Sequence, residues 1–274
     1  MRTLSPRWHA FPSVLVAVAI AASGCGKNAS PTMPAPPDTP LSQQAADDLA
    51  RHFGASLART GGVPLSQVGS TDLPAIARGQ APHLVRSNLE TLADEGEFSW
   101  SFSLTYYDAN GNEQPGYHPL TTARVRVVAR ARGRLTTAEH QAFVGVYRLL
   151  DVQGLLPSET TIEIDGAAND TADCQFAASD GSAERRYHLL ANGTLVDVRQ
   201  LKDSSVNPYP LSGTARWNVV VNAFVQDQHG TVETHHEVTV VVTFNGTKHP
   251  DIDIDGTHHY QGDLDTGHVQ RVPA

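Results

Sequence analysis

"FSWSFSLTY", residues 98–106, puts Phe98, Trp100, Phe102, Leu104 and Tyr106 on one parity and Ser99, Ser101, Ser103 and Thr105 on the other. Successive side chains of an extended chain point to opposite sides, so this alternation marks a β-strand with one apolar and one polar face. The pattern returns at Val238, Val240, Val242 and Phe244 against Thr239 and Thr243. Turn dipeptides punctuate the chain at Asn110-Gly111, Asp165-Gly166, Asp180-Gly181, Asn192-Gly193, His229-Gly230, Asn245-Gly246 and Asp255-Gly256. Asn and Asp tolerate, and Gly favours, the left-handed backbone of a tight hairpin turn. Residues 98–274 therefore read as an all-β domain of about ten to twelve antiparallel strands, many joined as hairpins.

Within that domain the chain repeats itself. "PLTTARVRVV" begins at Pro119 and "PLSGTARWNVV" at Pro210, and "TIEIDG" ending at Gly166 is matched by "DIDIDG" ending at Gly256. From Ala123 to Gly166 is 43 residues, and from Ala215 to Gly256 is 41. Two landmarks at nearly equal spacing point to an internal duplication, with units of about 98–176 and 185–264. The expected architecture is antiparallel sheet built from two related units, either stacked as a sandwich or joined in a curved half-barrel, with one or two helices before it.

Upstream, residues 41–97 are a helical and loop segment. Ala46, Leu49, Ala50, Phe53 and Leu57 fall at helical spacing, Ser42 is placed to cap the helix, and Gly61-Gly62 ends it. His52 is expected on the solvent side of this helix. "SNLE", residues 87–90, has the form of a capping box for a short second helix to about Ala93. Residues 25–40 form a linker, with five prolines in the fourteen residues from Lys27 to Pro40, a composition that stays extended at ~3 Å per residue.

Residues 1–24 carry Arg2 and Arg7 and then the apolar run "VLVAVAIAAS", too short to span a bilayer and laid out as an export signal. The tetrad Ala22-Ser23-Gly24-Cys25 resembles the bacterial lipobox. The resemblance covers only this leader. It implies cleavage before Cys25, a diacylglycerol on its sulfur, and a mature chain held at the membrane by acyl groups on the outer side of the cytoplasmic membrane. Gly26 follows the cysteine, where aspartate would favour retention at an inner membrane, so the outer membrane is the expected site in a host that has two.

Loss of residues 1–24 removes two arginines. The 20 basic and 29 acidic side chains of the whole chain become 18 and 29, and the net charge moves from -9 to about -11. So acidic a chain is not a nucleic-acid binder, which needs a basic surface to meet phosphates. Cys174 becomes the last thiol, so no internal disulfide is available and the fold must be held by its core.

Three features bear on chemistry. Arg124, Arg126, Arg130, Arg132 and Arg134 share one strand face, opposite Val125, Val127, Ala129 and Ala131. Five guanidiniums side by side need anions, either carboxylates such as Glu139, Asp151, Glu163 or Asp165, or an anionic ligand such as a phosphate headgroup or acidic glycan. Asp251, Asp253 and Asp255 imitate the opening of a calcium loop, but its twelfth position is Gly262 rather than glutamate. Histidines gather toward the end of the chain, and His235 and His258 are the pair that a metal would draw together if their strands were neighbours. No metal or other cofactor is expected, since both patterns are also those of polar strand faces.

Catalytic signatures are missing: no G-x-S-x-G, no H-E-x-x-H (His236-Glu237 lacks the second histidine), no Walker loop and no dinucleotide fingerprint. The expectation is a lipid-anchored, non-enzymatic binding or structural module of the cell envelope, whose partner is an envelope protein, glycan or lipid. The alternative is a carrier of lipid or another apolar ligand, since bacterial envelope carriers commonly use a curved sheet with a greasy inner face. The runs at Trp100 and Val240 would line one.

Overall fold

The computed structural model describes residues 40–58, 98–136, 140–177, 184–203, 205–227 and 230–273. The leader with Cys25, most of the linker, the Ser87–Ala93 segment, Glu139 and Asp180-Gly181 lie outside the described residues. Among the described residues one helix, α1 (Gln43–Ser56), precedes eleven strands: β1 (Phe98–Asp108), β2 (Glu113–Gln114), β3 (Thr122–Thr136), β4 (His140–Gln153), β5 (Thr161–Ala177), β6 (Glu184–Leu201), β7 (Ser212–Asp227), β8 (Gly230–Thr243), β9 (Asp251–Ile254), β10 (His258–Gly262) and β11 (Val269–Arg271). All pair antiparallel in a single open sheet ordered β11-β10-β9-β8-β7-β6-β5-β4-β3-β1-β2. The architecture is thus all-β, with one sheet that is not closed into a barrel and no second sheet stacked on it among the described residues.

Alternation sets the two faces. Val125, Val127, Val144, Leu150, Ile162, Ile164, Leu189, Val219, Val238, Val240 and Ile252 are buried on one of them, and α1 adds Ala46, Leu49, Ala50 and Phe53 to the same core. Ser42 caps the helix, its Oγ accepting from the Ala45 amide at 3.2 Å. The sheet curls around α1. Gly54 packs so close to Val269 on β11 that a Cβ there would sit 2.2 Å from a Val269 methyl, while its neighbour Phe53 shares a cavity with Leu150 on β4. In a flat sheet strands seven places apart lie about 34 Å from each other. A helix about 10 Å wide touches both only if the strands wrap it. The outermost strands β2 and β11 are two and three residues long, and among the described strands residues 98–105 of β1 and 230–239 of β8 pair on one side only.

The repeated motifs occupy corresponding places in the meander. Ala123 lies in β3 and Ala215 in β7, while Ile162 and Ile164 of β5 match Ile252 and Ile254 of β9, all four buried. Both copies belong to one continuous sheet.

Two expected turns are not turns. Asp165-Gly166 lies inside β5 at a register shift, and Asn192-Gly193 lies inside β6. The glycines serve close approach instead: a Cβ on Gly166 would meet the Leu149 carbonyl oxygen at 2.3 Å, and one on Gly193 would meet the Trp217 indole at 2.4 Å. Asn110-Gly111, Asn245-Gly246 and Asp255-Gly256 do turn, with φ of 81°, 80° and 66° at the glycines.

At the β10–β11 corner, burial would raise the Asp263 pKa, but the Lys248 ammonium at 3.0 Å and the amides of Thr266 and Asp265 hold it down, at about 2 against an ordinary 3.8. A depressed carboxylate stabilises the fold above its unfolded pKa and loses that contribution as pH falls through its folded value. Asp263→Asn is therefore expected to melt below the parent at pH 7, the gap closing between about pH 4 and 2 in parallel thermal scans. Gly193→Ala is expected to cost about 1–3 kcal/mol by overpacking Trp217, read as a lower denaturation midpoint. Gly116→Ala, where no atom lies within 4 Å of the added carbon, should leave the midpoint unchanged.

Candidate functional site

The largest concentration of buried polar groups lies where α1 meets β5 and β6. Asp48 is fully buried and accepts from Arg185 Nε at 2.6 Å, Arg185 Nη2 at 3.3 Å and the Tyr187 hydroxyl at 2.8 Å, with Arg51 Nη1 at 3.2 Å. Burial beside Asp48 pushes the Tyr187 phenol far above its usual range, and the hydrogen bond to Asp48 keeps the Arg185 guanidinium charged. One position earlier, Asp47 accepts from Tyr260 of β10 at 2.8 Å, and His258 contacts Gln43 at 3.2 Å. These are polar pins between the helix and two well separated strands.

His52 was expected on the solvent side; it is buried instead, with Nδ1 3.4 Å from Cys174 Sγ. The reason is the curl, which surrounds α1 and leaves that flank of the helix no solvent. Asp48, His52 and Cys174 thereby assemble the residue types of a thiol nucleophile with its base. Burial, with the nearby charges of Asp173 and Asp48, drives the thiol pKa well upward, the opposite of what an attacking thiolate needs. The arrangement secures the helix and does not activate sulfur.

Further along α1 little space is left between the described residues of helix and sheet. Phe53, Leu57, Arg148, Asp170 and Trp217 border a cavity of ≈ 20 Å³, room for about one water. Arg148 is buried and neutralised by Asp170, with which it makes a two-pronged ion pair, and it donates to the Tyr147 carbonyl at 3.0 Å. Phe53 meets Trp217 with ring centroids 5.4 Å apart.

The arginine ladder lies on the outer face and divides in two. Arg124 and Arg126 reach Asp151 at 3.4 and 3.2 Å. Arg130 and Arg132 lie over the rings of Tyr147 and Phe143, 5.4 and 5.5 Å from their centroids. Of the carboxylates expected opposite the ladder, Asp151 alone is seen there among the described residues, Glu139 lying outside them. Glu163 pairs with Arg199 at 2.9 Å, and Asp165 accepts from the Asp197 amide at 2.9 Å. Among the described residues no carboxylate pairs with Arg130 or Arg134.

The candidate metal ligands do not converge. β9 separates the strands of His235 and His258. His235 faces outward against Asn222 at 2.8 Å, whereas His258 faces the helix. Asp253 pairs with His259 at 2.9 Å and accepts from the Gly256 amide at 2.7 Å, Asp255 accepts from the Thr239 amide at 2.7 Å, and Asp251 is exposed on β9. Two of the three acids thus build the β9–β10 turn. The one acidic trio whose oxygens lie together among the described residues is Glu163, Asp165 and Asp197, within 4.8 Å of one another, and Arg199 and a backbone amide already engage it.

No protein-family model, curated protein or solved structure matches the chain. No helix among the described residues is long and apolar enough to cross a membrane.

Removing the carboxylate beneath the helix leaves Arg185 and Tyr187 buried without an acceptor. Asp48→Ala is expected to cost about 3–5 kcal/mol in chemical denaturation. In a Cys25→Ala background, where Cys174 is the one thiol, the same change should speed its labelling by an aromatic disulfide under native conditions.

Proposed function

We propose that the chain is a lipid-anchored protein of the bacterial cell envelope, on the outer membrane where there are two, and that its β domain is a non-enzymatic binding or structural module. The observation that carries the second half is the small space left between α1 and the sheet among the described residues. α1 occupies the apolar side of the sheet, and the space left beside Trp217 admits about one water. A site for an apolar ligand of ordinary size has some 300–1,000 Å³. The first half rests on the lipobox-like tetrad ending at Cys25 and on the proline-rich spacer after it.

One feature favours the carrier reading. The sheet is open, its inner face is apolar, and α1 is held there by polar pins at Asp47, Asp48 and His258 as well as by packing. A helix fixed in that way is one that a hydrophobic ligand displaces if it supplies equal burial.

Metabolic labelling with palmitate followed by fractionation tests the anchor. The full-length chain should be labelled and sediment with membranes, while Cys25→Ala should be unlabelled and soluble. An unlabelled parent, or a labelled Cys25→Ala chain, contradicts it. Organic extraction of the purified parent with mass spectrometry separates the two readings: the module carries no stoichiometric hydrophobic molecule, and the carrier does.

A further inference from the structure

We propose that the outer face of the sheet, across β3 to β7, binds an acidic polysaccharide laid perpendicular to the strands. This deepens the binding-module reading by naming its surface and the chemistry of its ligand.

The pairing registers carry the argument. Arg130 stands opposite Tyr147, Tyr147 opposite Asn169, Asn169 opposite Asn192, and Asn192 opposite Asn218. These five side chains form one continuous row on the polar face. All three asparagines are exposed, and none has a hydrogen-bond partner for its side chain among the described residues. Each amide offers two donors and an acceptor, and adjacent strands space them about 4.8 Å apart. A repeating set of neutral donors and acceptors at that interval, close to the length of one sugar ring, suits a polymer that presents a hydroxyl pair at every unit.

One end of the row is cationic. Arg130 lies over Tyr147, and Arg134, four residues along β3, stands opposite Phe143, which is 44% exposed. Neither guanidinium has a carboxylate partner among the described residues, although the chain carries 29 acidic side chains against 20 basic ones. Stacking on a ring holds a guanidinium fork in place while leaving its N–H edges open, and such a fork matches a sugar carboxylate in two-pronged geometry. On an acidic protein this stripe is the surface to which a polyanion is drawn. An anionic lipid surface would find the arginines but has no use for an amide ladder extending three strands further. A neutral glycan would use the ladder and leave the arginines idle.

On the same face, a groove of ≈ 530 Å³ crosses β5 to β8, lined by Asp173, Glu184, Arg186, His188, Phe224 and Gln226, with Arg186 paired to Glu184 at 2.6 Å. Asp173 and His188 meet at 2.7 Å, so the floor presents a polar pair next to the exposed Phe224 ring, a setting suited to a sugar's hydroxyl edge and apolar face.

Titration calorimetry tests this with polygalacturonate and dextran on the full-length chain in neutral detergent, and with phosphatidylglycerol vesicles on the soluble full-length Cys25→Ala chain without detergent. Polygalacturonate should bind, weakening as salt rises, with dextran weaker and vesicles no better than dextran. Arg130→Gln with Arg134→Gln should lower the affinity at least tenfold and flatten the salt dependence. Asn192→Ala with Asn218→Ala should also lower it at least tenfold but keep the salt slope. These exposed sites should leave the melting temperature unmoved. Cys25→Ala should bind polygalacturonate as the parent does, so a failed anchor and a failed glycan site are told apart. Absence of polygalacturonate binding, equal binding of vesicles, or full affinity in either double variant overturns the proposal.

Discussion

A sheet of eleven strands with one apolar face must cover that face, and this one does so by rolling around its own helix. The contact that fixes the roll is electrostatic as well as apolar. Asp48, without solvent, is held by Arg185 and Tyr187 of β6, while Asp47 one residue earlier meets Tyr260 of β10. Burying a carboxylate is tolerable only when its charge and lone pairs are met, and several donors meet Asp48 here. Packing alone would let the helix slide along an apolar trough. Two adjacent carboxylates with partners on strands four places apart fix its position.

The division of labour between the faces follows. Inside, Phe53, Trp217, Leu150 and the paired Arg148 and Asp170 leave space for about one water, and the one thiol among the described residues is kept protonated by burial. Outside, the sheet displays amides, guanidiniums on aromatic rings and a polar groove. Chemistry that needs a shielded, activated group finds none in the inner cluster. Recognition of a polar ligand finds a regular surface outside.

Much of the fold was legible in the chain. The strand parity at Val125, Ile162 and Val240 could be read because period two survives any choice of register, and Ser42 before a 3.6-residue pattern marked the helix start. Asn192-Gly193 was misleading because the same dipeptide serves a tight turn and a close approach, and Trp217, 24 residues further on, decides between them. His52 was misplaced because a helix pattern shows which side is apolar but not how far a sheet wraps it. The row of Asn169, Asn192 and Asn218 could not be read at all: its members are 23 and 26 residues apart, and only the strand register aligns them. Lateral order is a property of pairing, and single-chain periodicity does not contain it.

That α1 is the inner wall of the sheet, and not an appendage resting on it, is best tested by native-state hydrogen exchange. Amides of Ala46 to Phe53 should exchange with the same opening free energy as the central amides of β6 and β7, because helix and sheet then unfold as one unit. Helix amides that exchange orders of magnitude faster while those strands stay protected would contradict the account.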